Sequence, residues 1–147
     1  EQGEFLTNKI KNMIVENPDI INKQKKDIIY VISPFKNVAY QLSKELNKIE
    51  FTRYDKKGKP TNIGTVHTFQ GKEAPIVFFV LGADKKCIGA ANWAVGTDNP
   101  NIMNVAVTRA KEEFYIIGDK EMYLSLNSDV INDTCKIIEK HNMNTSL

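Results

Sequence analysis

Arg109 is the residue of this sequence best suited to do chemistry. It stands in NVAVTRAK, residues 104–111, a short and mostly apolar stretch where an unpaired charge is costly to bury. A guanidinium there needs an anion, either a carboxylate of its own chain (Glu112, Glu113 or Asp119) or the phosphate of a ligand. A second stretch, GTVHTFQGKE at residues 64–73, carries Thr65 and His67 in a strand edge and Thr68, Gln70, Gly71 and Glu73 just beyond it. A third is Ser33-Pro34, where serine suits a helix N-cap and proline the first helical position. The backbone N–H groups of such a turn can bind a phosphate, or the pair can be a plain helix cap.

The elements that must position these residues follow from hydrophobic periodicity. Phe5, Leu6, Ile10, Met13 and Ile14 recur at helical spacing until Asn17-Pro18 stops the pattern. IIYVI (28–32), PIVFFVLG (75–82) and FYIIG (114–118) are continuous apolar runs of strand length, the pattern of strands covered on both faces. Val38, Leu42 and Leu46 mark a helix after Ser33-Pro34, and Asn99-Pro100 opens another that runs to about Lys111 and carries Arg109. FTRYD (51–55) reads as a short strand, KKGKP as a loop tip, and NIGTVH (62–67) as a strand edge. Residues 83–98 are irregular, with Trp93 as a loop anchor on the core or a stacking platform. Asp119 can cap a following helix, and residues 128–142 form a closing amphipathic helix. Strands alternating with helices predict an α/β three-layer sandwich with a mainly parallel sheet. Ligands in such folds sit at the carboxyl ends of the strands, here the turns after Ile32, Val66 and Leu81.

The 147 residues fit one domain with a proper core, and 26 % charged against 41 % hydrophobic residues is ordinary for a soluble protein. No apolar run approaches the ~20 residues that span a bilayer, and the N-terminus lacks a signal-peptide pattern, so a cytoplasmic location is expected. The missing initiator Met suggests a cut end. Cys87 and Cys135 have no metal-ligand spacing and read as reduced thiols. A net charge of +2 gives no long-range field for a polyanion, so nucleic-acid binding would have to be local. Lys23, Lys25 and Lys26, and Lys56, Lys57 and Lys59, read as solvated loops.

Taken in order, GTVHTFQGKE and NVAVTRAKEEFYIIGD (104–119) resemble motifs V and VI of superfamily 1 helicases. The match is nearest to the branch of the nonsense-mediated-decay helicase, with its TVDxFQGxE and LNVAxTRAK patterns. ISPFKNVAYQL (32–42) is similar to that branch's motif IV region, and the resemblance covers residues 28 to about 125. It implies that residues 1–147 are a single second, C-terminal RecA-like domain, a P-loop NTPase fold without its own P-loop.

In the family, ATP lies between two such domains, and the first supplies the P-loop and the magnesium-binding acid. By motif position, Arg109 matches the arginine finger, and Gln70, Gly71 and Glu73 match the nucleotide-binding loop. A carboxylate suits ribose hydroxyls better than phosphates, which favours the ribose for Glu73. Ser33, Pro34, Thr65, His67 and Thr68 match positions on the nucleic-acid track, where hydroxyls and N–H groups meet backbone phosphates without reading bases. His67 departs from the acidic residue common at its position.

No GxxxxGK[ST] occurs: Lys72 is followed by Glu73, and Val66 stands where the first glycine would be. The chain alone is therefore expected not to hydrolyse ATP. Its expected partners are single-stranded DNA or RNA and a preceding RecA-like domain, with ATP and Mg2+ held mainly by that domain and no membrane involved. The implied activity is a 5′-to-3′ helicase or translocase. The competing readings are a non-catalytic nucleic-acid- or protein-binding module, and a Rossmann enzyme, against which stands the lack of any GxGxxG after a strand.

Overall fold

A computed structural model describes residues 2–82 and 100–118. The chain divides into two compact units, one of residues 1–82 and 105–118, the other of residues 83–104 and 119–147. The expectations for Trp93, Cys87, Cys135, the Asp119 cap and the helix over 128–142 fall outside the described residues.

In the first unit, helix α1 (Gln2–Glu16) buries Leu6 and Ile10 completely, and Met13 and Ile14 join the same core. Phe5, expected inward, is 60 % exposed; it lies at the margin of the stripe, one position before Leu6. Pro18 cannot donate to a continuing helix, and the chain turns into a short 3-10 segment (Pro18–Ile21) capped by the Asn17 side chain, which accepts from the N–H of Asp19 at 3.2 Å.

Strand β1 (Ile29–Ile32) is buried at every position, as a continuous apolar run requires. Helix α2 (Lys36–Asn47) follows, then strands β2 (Ile63–Gly64) and β3 (Ala74–Val80), helix α3 (Pro100–Thr108), and strand β4 (Ala110–Ile117). The four strands form one sheet in the order β2-β1-β3-β4, and every pair is parallel. The predicted α/β fold with a parallel sheet is therefore present. On one face Val31, Phe78 and Val80 share a core with Leu6, Leu42 and Leu46 from α1 and α2, and Phe78 stacks on Tyr115 at 4.9 Å. On the other, Tyr30 meets Phe69 at 4.5 Å and Phe79 meets Phe114 at 6.2 Å.

Three local expectations are corrected. Residues 51–55 make no strand: the side chain of Asn62 occupies their backbone groups, donating to Phe51 O and accepting from Arg53 N–H, both at 2.9 Å. Only Tyr54 and Pro60 bridge, across the loop tip at Gly58. Helix α2 begins at Lys36, not at Pro34, because Ser33 Oγ accepts from Phe35 N–H at 3.2 Å and makes its own turn before the helix starts. Helix α3 ends at Thr108 and β4 begins at Ala110, so Arg109 and Lys111 are not helical. The pairing of Ala110 with Ala74, and the bond from Ala74 N–H to Arg109 O at 3.0 Å, draws this segment into the sheet early.

The loop after α2 places Glu50 at φ 62°, in the left-handed region. An L-residue there costs ~1–2 kcal/mol, part of which glycine gives back through its greater chain entropy when unfolded. Glu50→Gly is expected to raise the unfolding free energy by ~0.5–1 kcal/mol, read as a higher denaturant midpoint. An unchanged or lower midpoint would mean that Glu50's own contacts outweigh the backbone strain.

Candidate functional site

The strand register separates the singled-out residues into two groups. Ile29, Ala74 and Ala110 mark the amino end of the sheet; Ile32, Gly64 and Val80 mark the carboxyl end. At the carboxyl end, Ser33 follows β1 and Thr65 follows β2. Ser33 N–H donates to Gly64 O at 2.9 Å, tying the two strand ends together. Thr68 closes over Gly64 so tightly that a Cβ at Gly64 would lie 2.8 Å from Thr68 Cβ. Ser33 and Pro34 are buried, Thr65 and Thr68 are half-buried, and His67 is exposed.

From Thr65 the chain runs through a 3-10 turn (Val66–Phe69) to the start of β3. Phe69, fully buried against Tyr30, anchors this descent. Gln70, Gly71 and Glu73 then emerge exposed at the amino end of the sheet. Gly71 takes φ +76° with open space where a Cβ would stand, leaving its backbone accessible from that side.

Arg109 belongs to this second group. It occupies the one-residue turn between α3 and β4, at the amino end of the sheet and not at the carboxyl end expected for ligand sites. Its Nη1 donates to Phe69 O at 3.3 Å, and its Nη2 donates to Thr108 Oγ1 at 3.2 Å. Its Nε is buried and has no hydrogen-bond acceptor. Among the described residues no carboxylate pairs with it: Glu112 and Glu113 make no ion pair with Arg109, and Asp119 lies outside them. Glu113 instead accepts from Tyr115 OH at 2.6 Å, which pushes the phenol up to about 12.

The structure thus brings Arg109 to the Gln70–Glu73 loop, through Phe69 O before it and Ala74 N–H after it. It places Ser33, Thr65 and Thr68 together at the opposite end. Phe69, through its carbonyl, and Thr108 were not singled out from the sequence. Thr108 could have been found as the hydroxyl next to Arg109; a backbone carbonyl leaves no sequence signal.

Lys23, Lys25 and Lys26 are exposed, as are Lys56, Lys57 and Lys59, in keeping with solvated loops; Lys23 Nζ in addition bonds Glu50 O at 3.1 Å and Thr52 O at 2.8 Å. Partial desolvation, and secondarily Arg53, lowers the Lys23 pKa. Lys23 lines an open cleft of about 760 Å³ with Asp27, Glu50, Arg53 and Tyr54. Arg53 is also engaged, donating to Asn22 O at 2.8 Å and lying 3.2 Å from Asp27 Oδ1. Burial raises the Asp27 carboxyl against the opposing pull of Arg53, Lys72 and Lys23. Among the described residues no three or more His, Cys, Asp or Glu gather to hold a metal ion, and no helix is long and apolar enough to cross a membrane.

Comparison with known proteins agrees with the motif order. A family model described as an AAA domain matches residues 4–121. Helicase sen1 of Schizosaccharomyces pombe is 31 % identical over 124 residues, which cover 82 % of this chain and 7 % of that protein. The chain therefore spans a small fraction of the length of this relative.

Proposed function

Because the chain belongs to the AAA-domain family, as a C-terminal RecA-like domain of the superfamily 1 helicases, we propose that it is the second motor domain of an ATP-dependent helicase or translocase, contributing an arginine finger and part of a nucleic-acid track. The observation that carries the proposal is the setting of Arg109: a half-buried guanidinium held by two neutral oxygens, without a carboxylate among the described residues, beside an exposed glycine loop. A carboxylate partner would already neutralise the charge. A carbonyl and a hydroxyl orient it and leave it available to a phosphate.

In the proposed cycle a preceding RecA-like domain holds ATP and Mg2+ and supplies the phosphoryl chemistry, while this chain closes over the nucleotide. Arg109 stabilises negative charge on the equatorial oxygens of the transferring phosphoryl group. Gly71 brings bare backbone close, Gln70 adds an amide in the same loop, and Glu73 accepts from ribose hydroxyls. At the other end of the segment, Thr65, His67 and Thr68, with the Ser33-Pro34 turn behind them, form the track for a single strand of DNA or RNA. Buried Ser33 serves this track by pinning Gly64 and the α2 entry. Movement is proposed to run 5′ to 3′.

The experiment is ATP turnover by the full-length protein and by this chain alone. Nucleic-acid-stimulated turnover is expected only from the former. A full-length protein with no P-loop domain and no turnover would select a non-catalytic binding module instead. The isolated chain is expected to bind single strands through two or three phosphates, giving a log–log salt slope of about −2 or shallower. A slope several times steeper would bring the lysine loops into the binding surface.

A further inference from the structure

Of the two oxygens that hold Arg109, one belongs to a side chain. Thr108 Oγ1 donates to Val105 O at 3.0 Å and accepts from Arg109 Nη2 at 3.2 Å. A hydroxyl has one proton to give, and here it goes to the last turn of α3; the lone pairs are left to face the guanidinium. We propose that Thr108 is a positioning residue for Arg109: its hydroxyl fixes the guanidinium to the end of α3, and the Phe69 carbonyl fixes it to the turn before the glycine loop. This inference rests on the arginine-finger reading and adds to it the group that aims the finger.

The need for such a group follows from where Arg109 sits. It lies past the end of α3, in a single-residue turn, and Thr108 is the one residue of α3 among those described that is hydrogen-bonded to its long side chain. An arginine side chain carries ~2 kcal/mol of rotamer entropy, and a catalytic group misplaced by about 1 Å can lose ~100-fold in rate. Both restraints are neutral. They reduce the freedom of the guanidinium without offsetting the charge that it must present. The Phe69 carbonyl stays under any substitution of that residue, whereas the Thr108 hydroxyl can be deleted with little change of shape.

The test compares Thr108→Val, Thr108→Ser and Arg109→Ala in the full-length protein, measuring kcat and KM for ATP together with the melting temperature. Valine keeps the β-branched shape and removes the hydroxyl; kcat is expected to fall ~10- to 100-fold with KM within about twofold of normal. Serine keeps the hydroxyl and is expected to stay within about threefold of normal kcat, and Thr108→Val added to Arg109→Ala should cost nothing further. Wild-type kcat in Thr108→Val while Arg109→Ala abolishes turnover would overturn the positioning role and leave the finger intact. Equal losses in the serine and valine variants, or a matching loss of melting temperature, would overturn it in favour of a structural role. Normal turnover by Arg109→Ala would remove the finger reading, and this inference with it.

Discussion

Arg109→Ala in the full-length protein is expected to lower ATP turnover by ~10³–10⁵-fold while ATP binding stays within a few-fold of normal. The loss corresponds to ~4–7 kcal/mol of transition-state stabilisation. Its size follows from what the side chain replaces. During phosphoryl transfer, negative charge spreads over the equatorial oxygens, and a planar guanidinium can meet two of them while water cannot be pre-oriented to do so. The ground state gains less, because the nucleotide is held mainly by the preceding domain in this reading, so binding survives. Arg109→Lys should rescue little: a lysine ammonium lacks the planar fork and cannot hold the Phe69 carbonyl and Thr108 hydroxyl while presenting charge in the same direction. Turnover in Arg109→Ala within tenfold of normal would remove the residue from this role.

The second large effect is structural and lies at Asn62. Asn62 is 1 % exposed; its side chain makes two bonds at 2.9 Å, to Phe51 O and from Arg53 N–H, while its backbone carbonyl accepts from Val31 N–H. Asn62→Ala leaves two backbone groups without partners, each costing ~1–3 kcal/mol when buried. Water can reach the half-buried Arg53 side, so the expected loss is ~2–4 kcal/mol, read as a lower denaturant midpoint at unchanged slope. Asn62 directly precedes β2, and loosening it should also disorder the path from Thr65 to Phe69. A loss below ~1 kcal/mol would mean that the 51–53 segment finds other partners.

These two residues show what the sequence made legible. The buried strands β1 and β3 were readable because an uninterrupted apolar run of strand length has few other uses. The 51–55 segment was not, since a buried asparagine eleven residues away in sequence had taken the bonds that a neighbouring strand would have offered. Arg109 was readable as a charge that needs a partner, but not as a turn residue. The helical pattern of NVAV and the strand pattern of FYII meet over TRAKEE without a glycine or proline, so the boundary is set by pairing with Ala74 instead. Lys111, Glu112 and Glu113 can enter β4 as exposed polar residues because β4 ends the order of the described strands. The grouping of Arg109 with Gln70, Gly71 and Glu73 could be anticipated from motif order. That Arg109 rests on the Phe69 carbonyl is a tertiary fact that no residue type announces.

The proposed nucleic-acid residues Thr65, His67 and Thr68 and the proposed nucleotide residues Gln70, Gly71 and Glu73 lie at the two ends of one segment, with Phe69, whose carbonyl Arg109 holds, between them. Movement of Arg109 toward a phosphate would change its bond to the Phe69 carbonyl. The same turn carries His67 and Thr68.

The most direct test of Arg109 as a charge held ready for a transferring phosphoryl group is the affinity of the full-length protein for ADP against ADP with aluminium fluoride. A finger that acts in the transition state should make wild-type protein bind the aluminium fluoride complex far more tightly than ADP. Arg109→Ala should lose most of that difference and keep its affinity for ADP. An undiminished difference in Arg109→Ala would contradict the central claim.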